Sequence, residues 1–107
     1  MIYDNAASFE ERQSQSVHGN ITENMGTTEI SPTRYVEYHI TNGECPLSSG
    51  VTDYGVLLVL HSSTGIEYAR IDNITACKET ARQLCTLLRE NGVTPVALRE
   101  VVEDFLA

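Results

Sequence analysis

The sequence predicts a small α+β domain in which a three-stranded antiparallel β-meander is followed by an αα-hairpin packed on one face of the sheet. Three observations predict this fold. Apolar and polar residues alternate through Tyr35–Thr41, the next two apolar segments are separated by the short turn Ser62–Gly65, and the chain after Thr75 changes to helical spacing. Because no link between the strands is long enough for a crossover helix, consecutive strands should pair antiparallel.

Residues 1–31 are predicted to form an acidic tail that is disordered or loosely docked, and residues 32–107 a single domain. The tail holds five acidic residues and one basic residue and has no sustained period of 2 or 3.6. Such a segment buries too little apolar surface to offset the entropy lost on ordering. Its apolar residues include Ile21, Met25 and Ile30.

Three segments are predicted to be strands, at Tyr35–Thr41, Tyr54–His61 and Ile66–Ile71. The middle segment is apolar at successive positions, which favours a central strand buried on both faces. Between the first two strands, residues 42–53 are punctuated by Gly and Pro and predict a long loop. A loop of this length in a small domain is a candidate contact surface.

The remainder is predicted to be two helices. Thr75 is the expected N-cap of a helix from Ala76 to about Glu90, and Gly92 is placed to end it in the left-handed conformation. One face of that helix carries Cys77, Ala81, Leu84 and Leu88. Thr94 and Pro95 then predict the start of a second helix. Its apolar stripe comprises Leu98, Val101, Val102 and Phe105.

Several of these segments resemble a known family. The C-terminal part of the chain resembles the end of a family of short bacterial proteins that are common in clostridia-like anaerobes and whose function is unknown. The segments that carry this resemblance are Asp72–Thr75, the amphipathic helix after it, Asn91–Leu98 and Val101–Leu106. Tyr54–Val56 is similar to the central strand of that family. The resemblance covers about residues 33–107 and rests on caps and core positions. It therefore implies a fold but no catalytic residues.

Charge and cysteine content narrow the classes of function. The 107 residues include 15 acidic and 7 basic side chains, for a net charge of −8, whereas proteins that bind nucleic acid or anionic membranes directly are usually basic. The longest apolar run, Val56–Leu60, is too short to span a bilayer, and the N-terminus lacks the pattern of a signal peptide. Three unpatterned cysteines favour a reducing cytoplasm over a disulfide scaffold.

No motif for catalysis stands out. His39 and His61 fall on one predicted sheet face, but two histidines without a third ligand make a weak metal site, so no metal is expected. Cys77 could act as a nucleophile near a helix N-terminus, although its place on the apolar stripe favours burial. No phosphate loop is present, because five glycines each stand alone: Gly43, Gly50, Gly55, Gly65 and Gly92. No cofactor is expected. The protein is therefore predicted not to be an enzyme, with a Cys77-dependent enzyme as a remote alternative.

The predicted sheet leaves one face without helices. The inner face, under the helices, should carry Val36, Tyr38, Ile40, Val56, Leu58, Leu60, Ala69 and Ile71. The opposite, outer face mixes aromatic, apolar and histidine side chains, which is typical of an interface. Its predicted partner-binding residues are Tyr35, His39, Leu57, Val59, His61 and Tyr68.

These features predict a small cytoplasmic binding or regulatory protein that acts through the outer face and the 42–53 loop. Its partner is another protein or a second copy of the chain, and no nucleic acid or membrane contact is expected. A rival hypothesis is an acidic inhibitor that mimics nucleic acid, as phage-encoded inhibitors do, and blocks a basic protein. Mimicry needs concentrated charge, yet half of the excess lies in residues 1–30.

Overall fold

The computed structural model describes residues 21–48 and 50–107. Over these residues the chain forms one antiparallel sheet with strand order β1-β2-β3-β4, followed by two α-helices. The strands are β1 (Ile21–Ser31), β2 (Arg34–Glu44), β3 (Thr52–Ser62) and β4 (Gly65–Thr75), and the helical elements are α1 (Lys78–Glu90), a 3₁₀ turn (Pro95–Ala97) and α2 (Leu98–Leu106).

The prediction of a three-stranded meander is wrong, because β1 adds a fourth strand beside β2. β1 lies in the segment predicted to be the tail, whose residues 1–20 fall outside the described residues. Its alternation is hidden by three register shifts, which change the face that successive side chains occupy. Gly26 sits in one of them with φ of +103°, and its N–H is bonded to Asn24 Oδ1 at 2.8 Å.

Polar contacts with α1 hold β1 in place. The Thr28 hydroxyl donates to the Arg89 carbonyl at 2.6 Å, and the Arg89 guanidinium donates to the Met25 carbonyl at 3.0 Å. Arg82 also pairs with Glu23 at 3.0 Å. Only a few apolar side chains, among them Met25 and Ile30, pack against the core from this strand. A pattern based on hydrophobic period therefore gives little signal for β1.

The inner face of the sheet is the main core, as predicted. Seven of its eight predicted residues are buried in one cluster, and Ile71 packs against that cluster. The helices and the turn between them contribute the other half of the core, through Ala81, Leu84, Cys85, Leu88, Val93, Leu98 and Val102. The buried Tyr38 hydroxyl donates to the Val93 carbonyl at 2.9 Å, which ties the turn between the helices to the middle of the sheet.

The helix boundaries differ from the prediction at one end. Gly92 follows α1 with φ of +60°, which confirms the predicted left-handed C-terminus. The start of α1 is Lys78 rather than Ala76, because Thr75 still pairs with Tyr54 as the last residue of β4. The Thr75 hydroxyl accepts a bond from the Cys77 N–H at 3.0 Å, so it holds the joint between β4 and α1.

Candidate binding site

Strand register places the predicted partner-binding residues together on the outer face. His39 pairs with Leu57, Tyr35 with His61, and Val59 with Tyr68. Directly paired residues of an antiparallel sheet point to the same face. The helices pack on the inner face, whose cluster contains none of these six residues. Their role in binding a partner remains a prediction.

The outer face is buried at its centre and exposed at one end. Leu57 is 0% exposed and forms a second, smaller apolar cluster with Val59 and Tyr68, against which Ile21 packs. Tyr35 is 43% exposed and Ile66 is 49% exposed. These two residues flank His61 across three strands, beside the turns that join the strands. The exposed apolar surface therefore lies at the turn end of the outer face.

A carboxylate joins the two histidines of the outer face. Glu37 Oε1 lies 2.9 Å from His39 Nε2, and Glu37 Oε2 lies 2.6 Å from His61 Nε2. The Tyr35 ring stacks on the His61 ring, with centroids 4.5 Å apart and planes 9° from parallel. The sequence places Glu37 on this face but gives no signal that it would bridge the histidines, since that depends on strand register.

The histidines determine how Glu37 titrates. Burial alone would raise the pKa of the Glu37 carboxyl, but hydrogen bonds and favourable charge interactions with His39 and His61 outweigh it, so the pKa lies below its usual value of 4.5. Glu37 is therefore a carboxylate at neutral pH that accepts from both rings. Among residues 21–48 and 50–107, no group of three or more His, Cys, Asp or Glu is arranged to hold a metal ion.

The loop between β2 and β3 is shorter than predicted and is held by its own hydrogen bonds. Pairing continues to Glu44 and Thr52, so the connection comprises residues 45–51, of which Ser49 is outside the described residues. The Cys45 N–H donates to the Val51 carbonyl at 2.7 Å, and the Gly50 N–H donates to Glu44 Oε2 at 3.0 Å. Leu47, at the tip, is 93% exposed.

A polar cavity of about 90 Å³ lies at the loop end of the outer face. Here β4 bulges: Val56 pairs with Ile71 and Tyr54 with Thr75, so three residues of β4 face Gly55 alone. A Cβ on Gly55 would lie 2.1 Å from the Ile71 carbonyl oxygen, which requires glycine at this point. The cavity is lined by Thr41, Asn42, Gly43, Glu44, Asp53, Gly55, Arg70, Asp72 and Asn73.

Two buried polar atoms of β2 have no hydrogen-bond partner among the described residues, Thr41 Oγ1 and His39 Nδ1. Thr41 is 1% exposed and lines the cavity. Opposite it, Arg70 Nε donates to Asp72 Oδ1 at 2.7 Å, and Asn73 Nδ2 donates to Asp53 Oδ2 over a long 3.4 Å. Burying a hydroxyl without a partner is costly, so this position favours a ligand group at the cavity.

Cys77 is exposed at the N-cap of α1, so its predicted place on the buried stripe is wrong. The Thr80 hydroxyl and the Thr80 and Glu79 N–H groups at the start of α1 lower the pKa of its thiol. The buried cysteine of the stripe is Cys85, and burial raises the pKa of that thiol to about 12. His39 and His61 point to the outer face, so the sheet separates them from α1.

The chain belongs to a family of unknown function, DUF6514, whose model matches residues 12–107. This match includes all of β1 and extends the predicted resemblance, which began near residue 33, toward the N-terminus. No curated protein and no solved structure matches the chain. None of the helices in residues 21–48 and 50–107 is long and apolar enough to cross a membrane.

Proposed function

We propose that this protein is a non-enzymatic cytoplasmic binding or regulatory protein that engages a protein partner through the outer face and the β2–β3 loop. One observation carries the proposal: the two surfaces meet at a single cavity. Thr41, Gly55 and Arg70 of the outer face line it together with Asn42 and Glu44 from the foot of the loop. A concave polar site beside an apolar anchor is a common form of recognition site.

The loop has the properties of a preformed contact. Its ends are joined by the Cys45–Val51 hydrogen bond, and Glu44 accepts from Gly50 within it. Little conformational entropy would be lost when such a loop binds. At its tip Leu47 presents its side chain to solvent, and Val51 is partly exposed nearby. These two residues supply exposed apolar contact area on the loop, and Glu44 at the foot of the loop lines the polar cavity.

The arrangement of reactive groups favours binding over catalysis. Glu37 accepts hydrogen bonds from His39 and His61, which engages one ring nitrogen of each histidine. Cys77 directly precedes α1, which packs on the inner face, whereas both histidines lie on the outer face. A nucleophile and a base therefore do not converge in the described part of the chain, although nucleophilic catalysis needs them within hydrogen-bond reach.

A bacterial origin with clostridial relatives belongs to the same proposal.

Affinity capture with two matched variants tests this function. Leu47→Ser and Val96→Ser each remove one exposed apolar side chain, the first at the loop and the second on the helical side, where Val96 is also highly exposed. We expect the wild type and Val96→Ser to capture the same partner. Purified Leu47→Ser should bind that partner at least about tenfold more weakly. Equal binding by both variants would contradict the proposal.

A second experiment separates the alternative partners. Sedimentation velocity of the purified wild type and of Leu47→Ser shows whether the partner is a second copy of the chain, because the sedimentation coefficient of a self-associating protein rises with its concentration. A basic nucleic-acid-binding partner that is released steeply with salt would instead favour mimicry. In either case the binding of the partner must weaken in Leu47→Ser if the loop is part of the contact surface.

A further inference from the structure

We infer that the cavity at the loop end of the outer face binds a primary ammonium group, that of a lysine side chain on the protein partner. This inference rests on the proposed function for the identity of the partner, and on the cavity itself for the chemistry. The cavity is half-open, measures about 90 Å³ and is built from three adjacent strands. A lysine ε-ammonium on its narrow stem is small enough to enter such a space.

The charge of the lining selects a cation. Three carboxylates, those of Glu44, Asp53 and Asp72, line the cavity together with one guanidinium, that of Arg70. The guanidinium already donates to Asp72 through Nε at 2.7 Å. Negative charge therefore exceeds positive charge around the cavity, which attracts a cationic group and repels a carboxylate or phosphate.

The buried hydroxyl of Thr41 points to a ligand independently of the charge. Thr41 lines the cavity, and its Oγ1 is buried and has no partner among the described residues. A hydroxyl oxygen can accept a hydrogen bond, and an ammonium offers three donors and no acceptor. An ammonium in the cavity would supply the missing bond to Thr41 and ion-pair with the carboxylates.

The positions of the acceptors favour ammonium over guanidinium. Thr41 comes from β2, Asp53 from β3 and Asp72 from the bulge of β4, so acceptors surround the cavity from three strands. The N–H groups of an ammonium diverge in three directions, whereas a guanidinium presents its donors in one plane and prefers a bidentate partner. The bulge opposite Gly55 creates this enclosure, since it places Asp72 and Asn73 at the wall.

NMR titration of the full chain tests the inference with a defined probe. The probe is Nα-acetyl-lysine N-methylamide, and its matched control is the same compound with the ε-amine acetylated. We expect saturable shifts of the Asn42, Gly55 and Asp72 amides with the lysine probe and none with the acetylated one. The arginine analogue should bind at least fivefold more weakly. Equal shifts with the acetylated or the arginine compound would overturn the inference.

Three variants locate the site. Asp53→Asn removes a lining charge and Thr41→Val removes the buried hydroxyl, and each should weaken the lysine probe at least fivefold. Asp104→Asn removes an exposed carboxylate on α2 and should leave the affinity unchanged. Unchanged affinity in Asp53→Asn and Thr41→Val would overturn the assignment. A free diamine such as putrescine that binds tenfold more tightly than the lysine probe would overturn the assignment to a protein side chain.

The two proposals fail separately. If Leu47→Ser loses the captured partner but the lysine probe does not bind, the binding function stands and the ammonium site is wrong. If the lysine probe binds in an Asp53-dependent way but no partner depends on Leu47, the cavity stands and the proposed contact surface is wrong. Lysine-to-glutamine variants of a captured partner give a further test. If each of them binds Asp53→Asn and the wild-type chain with equal affinity, the inference is overturned.

Discussion

The two faces of the sheet use the same strands for different purposes. On the inner face the side chains are apolar and covered by α1 and α2, and the hydroxyl of Tyr38 has its partner in Val93. The outer face carries a small apolar cluster together with titratable and polar groups, and two of its buried polar atoms have no partner in the described residues. Natural proteins accept such local costs mainly where a surface is used.

The comparison separates what specifies the fold from what is available for recognition. Packing of apolar residues against the helices explains most of the inner face. It does not explain why Glu37 bridges two histidines or why Thr41 is enclosed beside a polar cavity. Of these outer-face features, the Thr41 hydroxyl is where a substitution should affect binding more than folding.

The largest expected effect compares two neighbouring leucines of β3 on opposite faces. Leu58 and Leu57 are both fully buried, but Leu58 belongs to the main core and Leu57 to the small outer cluster. Leu58→Ala should lower the free energy of unfolding by about 3–4 kcal/mol, because the helices prevent collapse of the new cavity. Leu57→Ala should cost about 1 kcal/mol less, since its apolar cluster among the described residues is smaller than that of Leu58.

Urea denaturation of both variants measures this difference, with equal m-values as evidence that the unfolding transitions are comparable. If Leu57→Ala lowers the free energy of unfolding as much as Leu58→Ala does, the two faces do not differ in how they are packed. The outer face would then be a second core, and the contact surface would be restricted to its exposed end and the loop.

A smaller effect concerns the bridge between the histidines. Glu37→Gln should lower the free energy of unfolding by about 1–2 kcal/mol at pH 7, because a charged acceptor for two imidazoles is lost. The folded-state pKa of Glu37 lies below its ordinary value of 4.5. Its stabilisation is therefore fully present above pH 4.5 and disappears as the pH falls through the lowered pKa.

Thermal unfolding of wild type and variant across this pH range checks the sign. The matched control is Glu103→Gln on α2, whose exposed carboxylate lies 3.9 Å from Arg99 and should contribute less than about 0.5 kcal/mol. A difference between wild type and Glu37→Gln that grows below pH 4.5 would contradict the bridge.

Parts of the fold that depend on local spacing could be predicted from the sequence. The alternation of β2 identified its inner and outer residues, and Gly92 marked the end of α1. β1 could not be found in this way, because it is stabilised by polar contacts to α1, such as that between Thr28 and the Arg89 carbonyl. Those contacts exist only after the helix has packed on the sheet.

The candidate site shows the same limit. Sequence alone grouped Tyr35, His39 and His61 on one face, yet the cavity needs the β4 bulge and the register of three strands. One signal was available, the isolated Gly55 within an apolar strand, which is typical of a bulge or a close backbone approach. The lack of a partner for the buried Thr41 hydroxyl among the described residues is a three-dimensional property that no spacing encodes.

The smallest effects come from two hydroxyls of β2 and should have opposite signs. Tyr38→Phe removes a satisfied hydrogen bond to the Val93 carbonyl and should lower the free energy of unfolding by about 1 kcal/mol. Thr41→Val replaces a buried hydroxyl that lacks a partner in the described residues and should raise it by up to about 1 kcal/mol. Parallel urea denaturation of both variants measures the two changes.

The Thr41 variant links stability to binding. If the Thr41 hydroxyl forms a hydrogen bond only with a bound ligand, Thr41→Val should raise the free energy of unfolding and lower the affinity for the lysine probe. This is the trade-off between stability and function that is expected at a functional position. Tyr38→Phe should lose stability with no change in that affinity, because its hydroxyl lies on the inner face. Destabilisation by Thr41→Val would show that the hydroxyl already has a partner in the free protein, and the difference between the faces would then be one of packing alone.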